Sequence, residues 1–251
     1  MHFLTPLFLF LPLLSRLCQA NVEKTIFLAP APIPIPSQNP APDELGLERL
    51  SPQISVLRTY LNASFPTEES PLGTESWFFL EDLNPGQRYE VRVCWSATQP
   101  TAFTLTTHTL PSTLEGASLM SSITTFSSAR LASLQMAKLK RNAGKVGTDA
   151  REPPSSSSLS PSDSVLFLRI HAAADYFTLN TSLMENVPPV LVDVILDPYL
   201  LNVFPRSLVP TAGWIVVVAG FAWMVARELV GAFSGIAEEA EVADGEGKKK
   251  R

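Results

Sequence analysis

Beyond the first 20 residues, the side chains able to do chemistry are His108, His171, Cys94 and scattered carboxylates such as Glu81, Asp82, Asp193 and Asp197. Acid–base or nucleophilic catalysis needs such groups in mutual reach. The two histidines fall in separate predicted strands, and no Cys/His spacing suits zinc. No G-x-S-x-G elbow or phosphate-cradling glycine loop occurs. Asp193 and Asp197 would share a face only on a helix, and their segment reads as a strand. At ~3.3 Å per residue they then lie roughly 13 Å apart, too far for a paired acid and base. The sequence therefore predicts no catalytic residue, no cofactor and no metal, which counts against the rival reading of an anchored lumenal hydrolase or isomerase.

What remains are residues that are modified or read as addresses. Two sequons, Asn62-Ala63-Ser64 and Asn180-Thr181-Ser182, make Asn62 and Asn180 candidate glycan acceptors. Lys249 and Lys248 stand third and fourth from the C-terminus, a spacing that resembles the dilysine retrieval signal of type I endoplasmic reticulum proteins. The 251 residues carry a net charge of −5, with 22 Pro and 12 Gly. That balance excludes collagen-like chains and gives no basic footprint for nucleic acid.

Both readings require particular elements around them. Phe3 to Leu14 is an apolar run too short to span a bilayer, which needs about 20 residues. With Cys18 and Ala20 after it, it predicts a signal peptide over 1–20, cleaved after Ala20. Leu208 to Ala226 is uncharged over 19 residues, and Arg206, Arg227 and Glu228 flank it. As a helix it spans roughly 28 Å at ~1.5 Å per residue, close to the hydrocarbon thickness. Trp214 and Trp223 suit its interfaces, and Gly213, Ala219, Gly220 and Ala222 offer small-residue packing. The expected organisation is a single-pass type I endoplasmic reticulum membrane protein. It has a lumenal domain over 21–206, a transmembrane helix over 208–226 and a cytosolic tail over 227–251 that engages coat retrieval machinery.

The lumenal part reads as strands. Tyr89, Val91, Val93 and Trp95 alternate with Glu90, Arg92, Cys94 and Ser96, the period of a half-buried strand. Trp77-Phe78-Phe79-Leu80 reads as another, and the Asn-Pro-Gly turn between them predicts a hairpin over Trp77 to Ser96. Further strands are expected at Glu23 to Leu28, Ile54 to Leu61, Ala102 to His108, Val165 to Ala172 and Val190 to Leu196. Seven short strands predict an all-β lumenal domain, an antiparallel β-sandwich of immunoglobulin/fibronectin-like type, plus the one C-terminal helix. The form L-x-P-G-x-x-Y-x-V-R-V over Leu83 to Val93 resembles the turn and strand of fibronectin-type sandwiches. Ala29 to Pro42 is proline-rich and predicts an extended loop. A flexible insertion is expected at about 110–163, with a helix at Ala129 to Arg141 and a disordered Ser/Pro run at Glu152 to Ser162. Once the signal is gone Cys94 stands without a partner, and is expected to be a small buried apolar side chain.

VEKTIFLAP (Val22 to Pro30), RYEVRVCW (Arg88 to Trp95) and QPTAFTL (Gln99 to Leu105), followed by one span and a short tail, give the chain a further likeness. It resembles the fungal co-activator subunit of GPI mannosyltransferase II. The resemblance implies a non-catalytic accessory subunit, partnered with the polytopic enzyme that adds the second mannose to the GPI-anchor precursor. The alternative is a lumenal cargo receptor, adaptor or chaperone-like protein of the early secretory pathway. The stretch DPYLLNVFPRS before the span has two prolines and no heptads, which counts against a coiled-coil stalk.

Overall fold

A computed structural model describes residues 20–32, 42–143 and 164–249. The expected signal segment, up to residue 19, and the Ser/Pro run lie outside these residues, as does most of the proline-rich stretch. Two compact units divide between Val203 and Phe204.

The first unit is mostly β. Its strands are β1 (Ala20–Leu28), β2 (Glu48–Leu50), β3 (Val56–Leu61), β4 (Thr74–Leu83), β5 (Arg88–Ser96), β6 (Thr101–Thr109), β7 (Ser164–Ala174) and β8 (Val190–Leu200). They form two sheets, one in the order β1-β5-β8-β3 and the other β2-β4-β7-β6. Each of the seven expected strands is present. The pairings are antiparallel except for β2, which runs parallel to β4. One apolar core draws on both sheets. Tyr89, Val91 and Val93 of β5 and Val192, Val194 and Leu196 of β8 meet Phe78 and Leu80 of β4 and Leu166, Leu168 and Ile170 of β7.

The expected Trp77 to Ser96 hairpin does not form. β4 pairs with β2 and β7, and β5 pairs with β1 and β8, so the Asn-Pro-Gly turn carries the chain from one sheet to the other. The turn is closed by a side chain. The Asn84 N–H donates to the Tyr89 hydroxyl at 3.0 Å, and that hydroxyl donates to Gln87 Oε1 at 3.1 Å. Gly86 has φ +74°, the left-handed region that glycine enters without penalty. A tyrosine that bonds back to backbone upstream is the corner by which sandwiches switch sheets. Turn chemistry marks a reversal, but which strand each arm pairs with depends on which faces must be buried.

That rule separates the strands. β4 and β7 are buried on both faces, which explains their unbroken apolar runs. Phe78 and Leu80 point into the shared core, while Trp77 and Phe79 join Val165 and Phe167 in a second cluster on the opposite face. The cover over that second cluster comes from α1 (Leu110–Glu115), α2 (Ala117–Ala143) and the segment holding Leu45 and Leu47. Ile123 of α2 is fully buried there, with Leu119 and Phe126 beside it, at the i, i+4, i+7 spacing of one helical face. The Ser127 hydroxyl donates to the Leu45 carbonyl at 2.7 Å and Arg130 Nε to the Gly46 carbonyl at 2.9 Å.

The segment expected as a flexible insertion is therefore ordered over its first part, as a roof on the sheet. The expected helix at Ala129 to Arg141 is the second half of α2. The first half, ASLMSSITTFSS, is rich in Ser and Thr and reads poorly as helix. Several of these hydroxyls bond back to carbonyls one turn earlier, as Thr124 does to Met120 at 2.8 Å and Thr125 to Ser121 at 2.8 Å.

The second unit contains α4 (Val209–Lys249). Its part from Arg206 to Gly231 has a mean hydropathy of 1.9 and none of it is buried. Among the described residues it is the one helix long and apolar enough to cross a membrane.

Candidate interaction surface and polar cleft

The two sheets differ in what lies on their outward faces. On β1-β5-β8-β3 the register aligns Val22 with Cys94, Lys24 with Arg92 and Ile26 with Glu90. It likewise aligns Cys94 with Asp193, and Arg58 with Asp193. Among the described residues no helix covers this face, although Glu90 and Asp197 are buried within it by their neighbours. Val22, Ile26, Leu28, Val56, Tyr60 and Leu191 are exposed, Tyr60 by 67%. Between the two apolar margins runs a band of paired charges. Arg58 holds Asp193 in a fork at 2.7 and 2.8 Å, and Glu90 meets Lys24 at 3.2 Å. Arg92 lies 3.5 Å from Glu90 and 3.8 Å from Asp197. The hydrogen bonds and charge of Arg58 hold the Asp193 carboxyl below its usual range. Cys94 is free and half-buried in this band, more open than the buried apolar side chain expected. Burial raises its thiol pKa, so it is no activated nucleophile.

The roofed sheet has an open end. Its outward positions pair Phe79 with Phe167, Trp77 with Arg169 and Glu75 with His171. The first of these lies under the helices, and the last reaches a cleft. Arg169 donates to Glu75 Oε2 through Nε at 2.9 Å and Nη2 at 2.6 Å, and its guanidinium lies 5.4 Å over the Trp77 ring. The Ser122 hydroxyl of α2 also donates to Glu75, and accepts the Trp77 indole N–H at 2.9 Å. Burial alone would raise the Glu75 pKa. The Ser122 hydrogen bond and the Arg169 guanidinium outweigh it and hold the carboxyl below its ordinary value. His171 Nε2 lies 3.9 Å from Glu75 Oε2. Burial first, and Arg169 second, lower the His171 pKa, so the imidazole is neutral near pH 7.

The candidate residues named from sequence are not brought together. Asn62 and Asn180 are exposed at the same end of the first unit, since β3 ends opposite the start of β8 and Asn180 lies in the β7–β8 connection. The Asn180 side chain caps α3 (Thr181–Glu185), accepting the Ser182 N–H at 3.1 Å. Gly213, Ala219, Gly220 and Ala222 are exposed on α4, and a Cβ added at Gly213 or Gly220 meets nothing within 4 Å. Lys248 and Lys249 end the α4 backbone. Among the described residues no three His, Cys, Asp or Glu side chains gather as a metal site would need. Sequence reasoning passed over Glu75 and Arg169. The signal for them was the alternation through Glu75, Trp77 and Phe79 against Phe167, Arg169 and His171, two polar ends on otherwise apolar outward rows.

Comparison with known proteins adds one finding. Residues 11–126 match the family model of the GPI-mannosyltransferase II co-activators, Pga1, a little under half of the chain. The match runs from before β1 to Phe126, where α2 still lies on the sheet. The resemblance is thus to a co-activator, an accessory rather than a catalytic protein. No curated protein and no solved structure matches the chain.

Proposed function

We propose that this chain is an accessory subunit that stabilises GPI mannosyltransferase II, the polytopic enzyme adding the second mannose to the GPI-anchor precursor. The observation that carries the reading is the co-activator match over residues 11–126. The bare outward face of the β1-β5-β8-β3 sheet supplies a physical route. It offers two apolar margins and a band of charges held in place by their own partners. The enzyme's lumenal loops dock on it, and the subunit braces them near the active site. The opposite sheet is closed to such contact over its apolar part by its own helices.

In this reading 1–20 is a cleaved signal and the first unit is lumenal, with glycans on Asn62 and Asn180. The unit is an immunoglobulin/fibronectin-like sandwich in architecture; the Tyr89 corner supports this, although the strand order is its own. The span over 208–226 packs on the enzyme's helices through Gly213, Ala219, Gly220 and Ala222, where small residues admit close approach. The tail over 227–251 faces the cytosol, and coat retrieval machinery reads Lys248 and Lys249 to keep the complex in the endoplasmic reticulum membrane.

Depletion of the chain tests the reading. GPI precursors are expected to accumulate at the one-mannose stage while the steady-state level of the enzyme falls. Normal progression with an unchanged enzyme level overturns it. Replacing Lys248 and Lys249 by alanine tests the address separately, with movement of the protein beyond the endoplasmic reticulum as the expected result.

A further inference from the structure

The open end of the roofed sheet carries a site that bracing does not need. The cleft there has a volume of about 620 Å³ and is lined by Glu69, Leu72, Gly73, Glu75, Arg169 and His171, among others. That volume lies within the range of small-ligand sites. Its walls are built in advance. Glu75 is held by Arg169 and Ser122, Arg169 by Glu75 and the Trp77 ring, and none needs to be ordered by a ligand. The lip is fixed as well. Gly73 has φ +76° and sits so close on β7 that an added Cβ would stand 2.2 Å from the Ala172 carbonyl oxygen.

The charges select the ligand class. Arg169 is already matched by Glu75, and Glu69 adds a second carboxylate to the wall, so an anion meets repulsion. His171 is nine-tenths buried in the wall, its Nε2 3.9 Å from Glu75 Oε2, and burial favours its uncharged form. Carboxylates that accept and a guanidinium that donates, beside an uncharged imidazole, suit groups that both give and take hydrogen bonds without charge. Adjacent hydroxyls do this.

We propose that this cleft binds a neutral sugar, its neighbouring hydroxyls held between Glu69, Glu75, Arg169 and His171. Two sources share the chemistry. One is a separate glycan. The other is the chain's own glycan on Asn62, two residues before Ser64, whose N–H reaches the same Ala172 carbonyl at 3.4 Å. The site stands on its own geometry and not on the accessory-subunit reading; only the second source requires the domain to be glycosylated.

The test uses the full chain in a detergent without a sugar headgroup. Saturation-transfer NMR with methyl α-mannoside and methyl α-glucoside reads binding. Wild-type chain is expected to transfer saturation to the sugar ring protons. Arg169→Lys and the rim variant Glu69→Ala are expected to reduce that transfer at least fivefold with the far-UV circular dichroism unchanged. Where Arg169→Lys loses the fold, Glu69→Ala decides. Transfer that arises only in Asn62→Gln supports the site and assigns it to the chain's own glycan. Absence of transfer in both wild type and Asn62→Gln overturns the proposal, as does transfer that Glu69→Ala leaves unchanged.

Discussion

The two sheets of the first unit share one core and differ in their outward faces. One face is roofed by α1 and α2 over Trp77, Phe79, Val165 and Phe167. The other leaves Val22, Ile26, Leu28, Val56, Tyr60 and Leu191 in solvent. In the proposed reading the roofed sheet serves stability and the other sheet serves contact. Scattered exposed apolar side chains are ordinary; aligned ones on one sheet face are what the proposed docking draws on.

The largest expected effect lies under the roof. Ile123→Ala removes a fully buried side chain and should cost about 2–5 kcal/mol in denaturant unfolding. A matched truncation on the bare face, Ile26→Ala, should stay within about 0.5 kcal/mol. Equal effects would break the comparison.

Next is the corner that joins the sheets. Tyr89→Phe removes the hydroxyl that accepts the Asn84 N–H, and about 1 kcal/mol should be lost by the same measurement.

Acid should act on the roofed sheet first. His108 and His171 have pKa values lowered from 6.5, chiefly by burial. A depressed folded pKa means the unfolded chain binds more protons in that interval. The stability this contributes is full above about 6.5 and is lost as pH falls from there through the lower folded value. Glu75, held below 4.5, adds a second loss as pH falls from about 4.5 through its own lower value. Thermal unfolding against pH should therefore decline from near pH 6.5, and His171→Gln should flatten the upper part of the decline.

The smallest effect on stability belongs to the bare face and carries the functional contrast. Combined Val22→Ser, Ile26→Ser and Val56→Ser should shift unfolding by no more than about 1 kcal/mol, yet sharply reduce recovery of the mannosyltransferase in mild-detergent purification. Full recovery would remove the docking face from the proposal while leaving the fold intact.

Much of this contrast was written in the strands. β5 and β8 alternate, as strands with one face outside must; β4 and β7 hold the apolar runs Trp77 to Leu80 and Val165 to Leu168, as strands covered on both faces there do. The seven strands and the long apolar helix were legible for the same reason, since periodicity and length are local properties. The roof was less so. The Ser and Thr of α2 oppose helix locally, and only their bonds to preceding carbonyls and the burial of Ile123 reverse the balance. The cleft left only the polar ends of two apolar rows in the sequence; that they form one site was not legible, because Glu75 and His171 are far apart in the chain and meet through the register of β4 on β7.

The sequence by itself determined where strands and the span lie, because alternation and apolar length act within a few residues. It also carried the likeness to a mannosyltransferase co-activator. Only the tertiary structure decided that the Asn-Pro-Gly turn crosses between sheets, that helices roof one face and leave the other bare, and that a glutamate, an arginine and a histidine meet at one end. Each of these depends on which strand pairs with which, and that choice is made by burial summed over the whole domain.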